Sequence, residues 1–237
     1  MNDKYALKAR VYPMIIFFLP AALLAITYSL KFESYVQLFS SISVVGALSF
    51  LFSQIGRDAG KKKEKKMWED WGGSPSCQVM RFRDKNFDRL TKSRYHTKLA
   101  ILCPPDVLVT SQYEQHDPDG ADEVYKSWTK FLISKSRDTT KFPILFKENV
   151  NYGFRRNMWG LKPYSIVLII LLMAICFSYY YYMNKTFDIR IYPFEFFITQ
   201  TLLLSTLAFW IFKVKTDWVK PVAYSYAERL LEVVEEI

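Results

Sequence analysis

The chain has 237 residues, a formal net charge of +9 and a hydrophobic content of 51%. Its mean hydropathy is close to zero because long apolar runs alternate with strongly charged segments. This uneven distribution excludes a single-domain soluble protein. The three cysteines have no CxxC spacing and one of them lies in an apolar run, which fits a reduced cytosolic face without disulfides.

Four apolar runs cover residues 11–30, 35–55, 164–183 and 194–212. Each is near the roughly 20 residues that an α-helix needs to cross ~30 Å of hydrocarbon. The first run is too long for the core of a signal peptide and lacks a small-residue cleavage site after it, so we expect it to remain as a span. The sequence therefore predicts an all-α membrane protein, with four transmembrane helices in a 2+2 arrangement around a mainly helical cytosolic insert domain.

The runs divide the chain into five segments. These are a cytosolic N-terminus (1–10), a transmembrane hairpin (11–55), a basic cytosolic domain (56–163), a second transmembrane hairpin (164–212) and a cytosolic C-terminal helix (213–237). Lys and Arg flank the outer ends of both hairpins, whereas the connections inside the hairpins carry only Lys31 in the first and Lys185 and Arg190 in the second. Because basic flanks stay in the cytoplasm, both termini and the middle domain are predicted to be cytoplasmic.

The polar content of the spans bears on transport. No ionisable side chain lies near the middle of any run, which argues against a secondary transporter. Small and hydroxyl side chains recur in the second and fourth runs, and they suit either ordinary helix packing or the wet lining of an assembled pore. The candidates are Gln37, Ser40, Ser43, Thr199, Gln200 and Thr206. These faces favour a homo-oligomer. Pro13 and Pro20 are expected to bend the first span.

Aromatic residues cluster at the ends of the third and fourth runs. Tyr179–Tyr182 close the third run, Tyr192 precedes the fourth, and Phe209 and Trp210 finish it. Amphipathic rings favour the boundary between headgroups and acyl chains, so we interpret these residues as membrane-interface anchors.

The middle of the chain, residues 54–162, holds 22 Lys and Arg against 14 Asp and Glu, which is +8 of the total +9. Periodicity and breakers predict four helices there. The first continues from the second run to Gly72, the second lies within 86–102 and the third covers 121–132. The fourth begins at Pro143 and ends near Gly160 and Pro163. Residues 106–110 are the best candidate for a short strand.

Two sets of basic side chains stand out in this segment. The run at 61–66, KKKEKK, suits retention of the topology and contact with anionic lipid. Arg89, Lys92 and Arg94 lie beyond the turns next to the membrane, and helical spacing puts Arg89 and Lys92 on one side. They are candidates for binding an anionic small ligand such as a nucleotide messenger, with a solvated helix face as the alternative. Nucleic acid is a further partner that such charge attracts.

An acidic stretch at 114–123 resembles a cation-binding loop. Pro118 occupies the first spacer of the EF-hand pattern and Trp128 its twelfth position, so we interpret Asp117 or Asp119 as a helix cap instead. The two histidines and three cysteines form no local nucleophile and base pair. We therefore predict no catalytic residue, no metal, no cofactor and no enzymatic activity.

Residues 151–159, NYGFRRNMW, combine rings and guanidinium groups immediately before the third run. The mixture suits the membrane interface. It also predicts a coupling segment that passes movement of the cytosolic helices into the third span. The residues proposed for this role are Tyr152, Arg155, Arg156 and Trp159.

The 2+2 layout around a cytosolic insert resembles the SMODS-associated four-transmembrane pore-forming effectors of bacterial antiphage signalling systems. The resemblance covers the whole layout and carries no binding residue over. It implies a bacterial inner-membrane effector whose cytosolic domain perceives a nucleotide messenger or a protein partner and whose spans assemble into a channel or permeabilising device. The alternative is a membrane scaffold that anchors a soluble protein or nucleic acid through the basic domain.

Overall fold

The computed structural model describes residues 3–31 and 35–237, and their side chains except at residues 3, 29–38 and 41. Every regular element in this part of the chain is helical. The α-helices are α1 (Asp3–Ala6), α2 (Tyr12–Lys31), α3 (Tyr35–Leu51), α4 (Ser53–Asp70), α5 (Pro75–Gln78), α6 (Arg89–Leu102), α7 (Ser111–His116), α8 (Pro118–Lys135), α9 (Pro143–Asn184), α10 (Phe194–Ala208) and α11 (Thr216–Glu232). π-Helical turns at Leu7–Val11 and Phe209–Lys213 precede α2 and extend α10.

Three stretches of helix are long and apolar enough to cross a membrane, namely Lys4–Tyr28, Pro143–Asn184 and Phe194–Lys213. Only 17–22% of the most apolar part of each stretch is buried within the chain, so most of these apolar side chains need another nonpolar environment. The length and composition of the helices indicate a membrane protein. Within the described residues, the second predicted run contributes a shorter apolar helix, Ile42–Leu51, so a fourth span stays a prediction.

The helices of the middle segment begin and end where local chemistry requires. Gly72 and Gly73 stop α4 with φ of 87° and 126°, a region open mainly to glycine. Asp88 caps α6 by accepting hydrogen bonds from the backbone of Leu90 and Thr91, each at 2.9 Å. Asp117 caps α8 through the backbone N–H of Gly120 at 3.0 Å, which confirms the capping interpretation.

Two local predictions were wrong. The fourth helix does not end near Gly160 and Pro163, because α9 runs unbroken for 42 residues. Pro163 removes one backbone hydrogen bond, and the packing of Leu161 and Ile169 into one core keeps the helix intact on both sides of it. Residues 106–110 form no strand but an irregular loop, since no described strand is present to pair with them.

The chain divides into two compact units. The first comprises Met1–Lys63 and Gly153–Trp218 and contains the apolar helices. Its main core joins α2, α9 and α10, and is built from Met14, Met158, Leu161, Ile169, Leu203, Trp210 and Val214. A second cluster of Cys176, Tyr180, Tyr192 and Phe196 packs α9 against the start of α10.

The predicted interface anchors are placed differently from one another. Tyr180, Tyr192 and Trp210 are buried within the first unit, whereas Tyr182 is 68% exposed. The buried rings therefore hold the helices of this unit together, and the exposed ones are free to meet lipid headgroups.

The second unit comprises Glu64–Tyr152 and Val219–Ile237. Its core is formed by α6, α8 and the C-terminal helix α11, with Leu99, Tyr125, Trp128, Leu132 and Leu230 among the buried side chains. Residues 219–237 thus belong to the same compact unit as the middle segment.

This division changes where the excess charge lies. The second unit has 17 Lys and Arg against 17 Asp and Glu, so its formal net charge is zero, whereas the first has 15 against 6 and carries the whole +9. The balance arises because Glu228, Glu232, Glu235 and Glu236 of the C-terminus join the second unit, and Arg57, Lys61, Arg155 and others belong to the first. The globular helical unit is therefore not basic as a whole.

Candidate functional site

A cluster of polar side chains forms hydrogen bonds with residues 79–84 in the second unit. Arg81 forms a bidentate ion pair with Asp122 of α8, with Nε to Oδ1 at 2.9 Å and Nη2 to Oδ2 at 2.5 Å. Its Nη1 also donates to the carbonyl of Gly72 at 2.8 Å. The Arg81 side chain is only 10% exposed, and the hydrogen bond to Asp122 raises its pKa. Arg81 therefore ties this segment to α8 and to the turn that ends α4.

Lys92 of α6 reaches the same segment from another side. Its ammonium is buried and donates to the carbonyls of Arg81 at 2.7 Å and Asp84 at 2.6 Å. Burial lowers the pKa of Lys92, and the nearby carboxylate of Asp84 opposes that effect. The cost of burying this charge is offset by two carbonyl acceptors and one carboxylate.

Glu114 of α7 and His96 of α6 complete the cluster. One Glu114 carboxylate oxygen accepts from the Phe82 backbone at 2.9 Å and from the Tyr125 hydroxyl at 2.6 Å. The Nε2 of His96 lies 2.8 Å from the carbonyl of Met80, so Nε2 must carry the proton. Burial lowers the pKa of His96 to about 4. The imidazole is therefore neutral at neutral pH and serves as a donor to the backbone.

Two open clefts border residues 79–84. One, of about 480 Å³, is lined by Arg81, Arg83, Glu114, Asp119, Asp122 and their neighbours. The other, of about 390 Å³, is lined by Phe82, Asp84, Lys85, Phe87, Asp88, Arg89 and Lys92. Both walls mix cations and carboxylates, so they suit a small polar ligand better than a polyanion.

The three predicted ligand-binding residues do not form one surface. Arg89 and Lys92 line the smaller cleft together with Lys85. Arg94 is instead paired with Glu235 near the C-terminus, with its Nε 2.6 Å from Oε1, and Lys98 binds the same carboxylate. Of the three, Arg89 is the one with an exposed side chain at the rim of a cleft.

In the first unit, glycines bring three helices into close contact. A Cβ added to Gly160 of α9 would meet the backbone nitrogen of Gly60 of α4, and one added to Gly60 would lie 2.6 Å from Asn157 Oδ1. A Cβ added to Gly153 would lie 2.8 Å from the hydroxyl oxygen of Tyr5. We call Gly60, Gly153, Asn157 and Gly160 the glycine junction. Its backbones approach more closely than any side chain would permit.

Asn157 at the glycine junction satisfies a carbonyl that the sequence leaves open. Pro13 has no N–H to donate to the carbonyl of Ala9 four residues earlier. The Asn157 amide donates to that carbonyl instead, at 2.7 Å, and its Oδ1 accepts from Arg156 Nε at 3.2 Å. Ala9 and Asn157 are 0% and 1% exposed, so the amide replaces a backbone bond that water cannot supply.

The predicted coupling residues each have a defined partner within their own unit. In the second unit, the Tyr152 hydroxyl donates to Glu64 at 2.7 Å and accepts from the Trp68 indole at 3.1 Å. In the first unit, Arg155 donates to the Trp218 carbonyl at 2.8 Å and lies 5.0 Å from the centre of its ring.

The other two coupling residues also belong to the first unit. The guanidinium of Arg156 bonds to Asn157. The ammonium of Lys63 lies 5.2 Å from the ring centre of Trp159. The Lys63 contact joins this segment to α4, whereas the Arg156 contact lies within the segment.

The predicted packing or pore residues fall into two groups. Thr199 is buried and Gln200 donates to the Met173 carbonyl at 3.2 Å, while Thr206 bonds to the preceding turn of its own helix. Ser40 and Ser43 of α3 are exposed. The side chain of Gln37 lies outside the described residues. The three predicted residues of the fourth run are therefore buried or bonded within the chain, whereas Ser40 and Ser43 of the second run are exposed.

Other candidate chemistry is sparse in the part of the chain described. No group of three His, Cys, Asp or Glu side chains there is arranged to hold a metal ion. Cys77 and Cys176 are buried and Cys103 is half-buried, and burial raises the pKa of Cys77.

The sequence did not predict several residues of the polar cluster and of the glycine junction as site residues. Glu114 belongs to the acidic stretch interpreted as a helix cap, yet it is a buried hydrogen-bond acceptor, and Arg81, which no sequence pattern singled out, is an ion-pair partner. The spacing of Gly56 and Gly60, a GxxxG pattern, was a detectable signal for the close helix contact. Asn157 gave no such signal.

No family model matches the chain, and no curated protein and no solved structure matches it.

Proposed function

We propose that the protein is a four-span effector of the bacterial inner membrane, with both termini in the cytoplasm, whose cytosolic helices sense a ligand or partner and gate an oligomeric channel or permeabilising assembly. Antiphage defence is the biological setting that its layout favours. The three long apolar stretches, with most of their surface unburied, support the membrane placement. The fourth span is assigned to the second apolar run, which contains the helix Ile42–Leu51.

The outward face of α3 is the observation that carries the oligomer. Ser40, Ser43, Gly46 and Ala47 are all exposed, and no atom lies within 4 Å of a Cβ added to Gly46. Hydroxyls facing hydrocarbon are unfavourable unless they find partners. Small residues also let a second helix approach closely. A second copy of the chain satisfies both conditions, either as packing or around a wet lumen.

The continuity of α9 supports gating. Because residues 143–184 form one helix, its start and its apolar part are linked by continuous helical backbone, through which movement can be passed. Two hydrogen bonds join this helix to other segments of the first unit, one from Arg155 to the Trp218 carbonyl and one from Asn157 to the Ala9 carbonyl. These contacts are the points at which such a movement is expected to be transmitted to neighbouring helices.

The candidate sensing site is the smaller cleft of the second unit, with Arg89 at its rim and Lys85 beside it. A nucleotide messenger is the ligand class that its cations favour, and a protein partner is the alternative. The zero net charge of this unit gives no specific support to a scaffold for nucleic acid, since electrostatics dominates such binding.

Dye release from liposomes tests this function. Full-length protein is reconstituted at increasing protein-to-lipid ratios, with and without a cyclic dinucleotide as probe. Release that rises steeply with protein density, or on adding the probe, is expected of an assembling channel. A scaffold inserts without releasing dye, and that result would refute the proposal.

A variant pair tests the coupling segment in the same assay. R155A/R156A should insert normally but release dye at least about tenfold more slowly, because the loss of ~1.4 kcal/mol of coupling already changes a population tenfold. K61A/K62A removes the same charge from exposed positions of α4 and serves as the control. Normal release by R155A/R156A would remove the coupling role.

A further inference from the structure

Three lysines of the first unit gather at the end of the helix that α10 begins. The ammonium of Lys162 donates to the carbonyls of Ile211 at 3.0 Å and Val214 at 2.9 Å. It thereby closes the carbonyl end of the π-helical turn. The charge of Lys215 repels that of Lys162, and the charge of Lys162 repels that of Lys63. We call Lys63, Lys162 and Lys215 the lysine triad.

The triad holds more positive charge than its surroundings balance. Within the described part of the chain, none of the three lysines takes part in an ion pair. The ammonium of Lys63 lies 3.5 Å from the Gly160 carbonyl and over the ring of Trp159, and these are its polar interactions with the described residues. Burial and the charge of Lys162 together lower the pKa of Lys63. A cluster of like charges of this kind is stabilised by a bound anion.

Exposed apolar side chains lie directly beside the triad. Ile211 and Phe212, next to the carbonyls that Lys162 binds, are 37% and 69% exposed. A ligand with an anionic head and apolar chains would contact both the lysine triad and these apolar side chains. A free anion would contact only the triad.

The charge of the first unit favours the same kind of ligand. This unit carries all of the chain's excess charge. Trp159 lies beside Lys63, and indole rings and lysines together are typical of headgroup depth.

We infer that Lys63, Lys162 and Lys215 form a binding site for the phosphate of an anionic phospholipid, whose acyl chains lie against Ile211 and Phe212. The ammonium groups of Lys63 and Lys215 contact the phosphate directly. Lys162 keeps two N–H groups on the carbonyls of Ile211 and Val214 and donates the third to the phosphate. The site rests on the membrane placement proposed above and is independent of channel activity.

Native mass spectrometry of the full-length protein in detergent micelles tests this site. The protein is titrated with phosphatidylglycerol and, separately, with zwitterionic phosphatidylcholine. We expect the first phosphatidylglycerol to bind at least about tenfold more tightly than phosphatidylcholine, because each basic group near an anionic lipid surface contributes favourably. Equal binding of the two lipids would overturn the inference.

Charge-matched variants separate a defined site from diffuse attraction. K63A/K162A/K215A should lose the preference for phosphatidylglycerol, whereas K61A/K62A/K213A, which removes the same charge from exposed positions, should keep it. An equal loss in both variants would overturn the site. K63A/K215A retains the bonds of Lys162 to the end of the helix and decides the question if the triple variant fails to fold.

A competition arm distinguishes lipid from free anion. Inorganic phosphate and glycerol phosphate at millimolar concentration should leave the bound phosphatidylglycerol in place. Displacement by either would indicate a free-anion site and overturn the lipid assignment. If the wild-type protein releases dye but shows no preference for phosphatidylglycerol, this inference alone is overturned. If it shows the preference but releases no dye, the gating proposal alone is overturned.

Discussion

Acidification should weaken the second unit through His96. The imidazole is buried among the rings of Phe82, Tyr125 and Trp128, with its centroid 4.7 Å, 5.6 Å and 5.3 Å from theirs. Lys92 lies near enough to disfavour its protonation further, and Glu114 and the Met80 carbonyl partly oppose that effect. The folded protein therefore holds His96 neutral down to a pH of about 4.

The size of the effect follows from the difference in proton binding. An exposed histidine in the unfolded chain has a pKa near 6.5, against about 4 in the fold. Between these values the unfolded state binds more protons, so stability falls as the pH falls. At pH 5, about 1.5 units below the unfolded pKa, the loss relative to pH 7 is ~2 kcal/mol, since each unit is worth about 1.4 kcal/mol.

Hydrogen exchange of the full-length protein in detergent measures this loss locally. The free energy of opening for α6 and α8, corrected for intrinsic exchange rates, should fall by ~2 kcal/mol between pH 7 and pH 5. H96Q retains an amide donor toward the Met80 carbonyl but does not titrate, so its opening free energy should change by less than about 0.5 kcal/mol over this range. His116 is present in both proteins, so any contribution from it drops out of the comparison. The same fall in H96Q as in the wild type would refute the role of His96.

Two further expectations concern close packing and the buried ion pair. G160A should lower the free energy of unfolding by more than about 2 kcal/mol, because the added methyl group meets the backbone of Gly60. G46A, whose added Cβ has nothing within 4 Å, should be neutral or slightly stabilising. Thermal unfolding in detergent compares the two variants, and equal melting temperatures would contradict the close contact. R81A should lower the free energy of unfolding by about 3 kcal/mol, because it leaves Asp122 without its bidentate partner. In a double-mutant cycle, R81A/D122A should recover part of that loss. Additive effects of the two substitutions would contradict the coupling of the two charges.

Much of the fold was accessible from the sequence because its signals are local. Glycines with positive φ end α4, an aspartate caps α6 and another caps α8, and each device acts within a few residues. The extent of α9 was not accessible, since Pro163 is a helix breaker in isolation. The helix continues because Met158, Leu161 and Ile169 share one core with distant residues, which no local pattern reveals.

The candidate sites were less accessible because they depend on partners far apart in the chain. Lys92 reads as one cation of a basic helix face, yet it is bound to the carbonyls of Arg81 and Asp84. Arg94 reads as its neighbour, yet it is paired with Glu235, 141 residues away. A charge pattern along a helix identifies which residues share a side. It does not identify which of them already have a partner.

The location of the excess charge separates two kinds of function more clearly than its total. Counted along the chain, the middle segment is basic and invites a polyanion. Counted by compact unit, the 17 basic and 17 acidic residues of the second unit cancel, and all of the excess belongs to the unit with the apolar helices. Charge placed beside apolar helices orients a protein in an anionic bilayer and attracts its lipids. A nucleic-acid scaffold instead requires the excess on its globular part. The distribution therefore favours a role for the basic residues at the membrane over a role in binding nucleic acid.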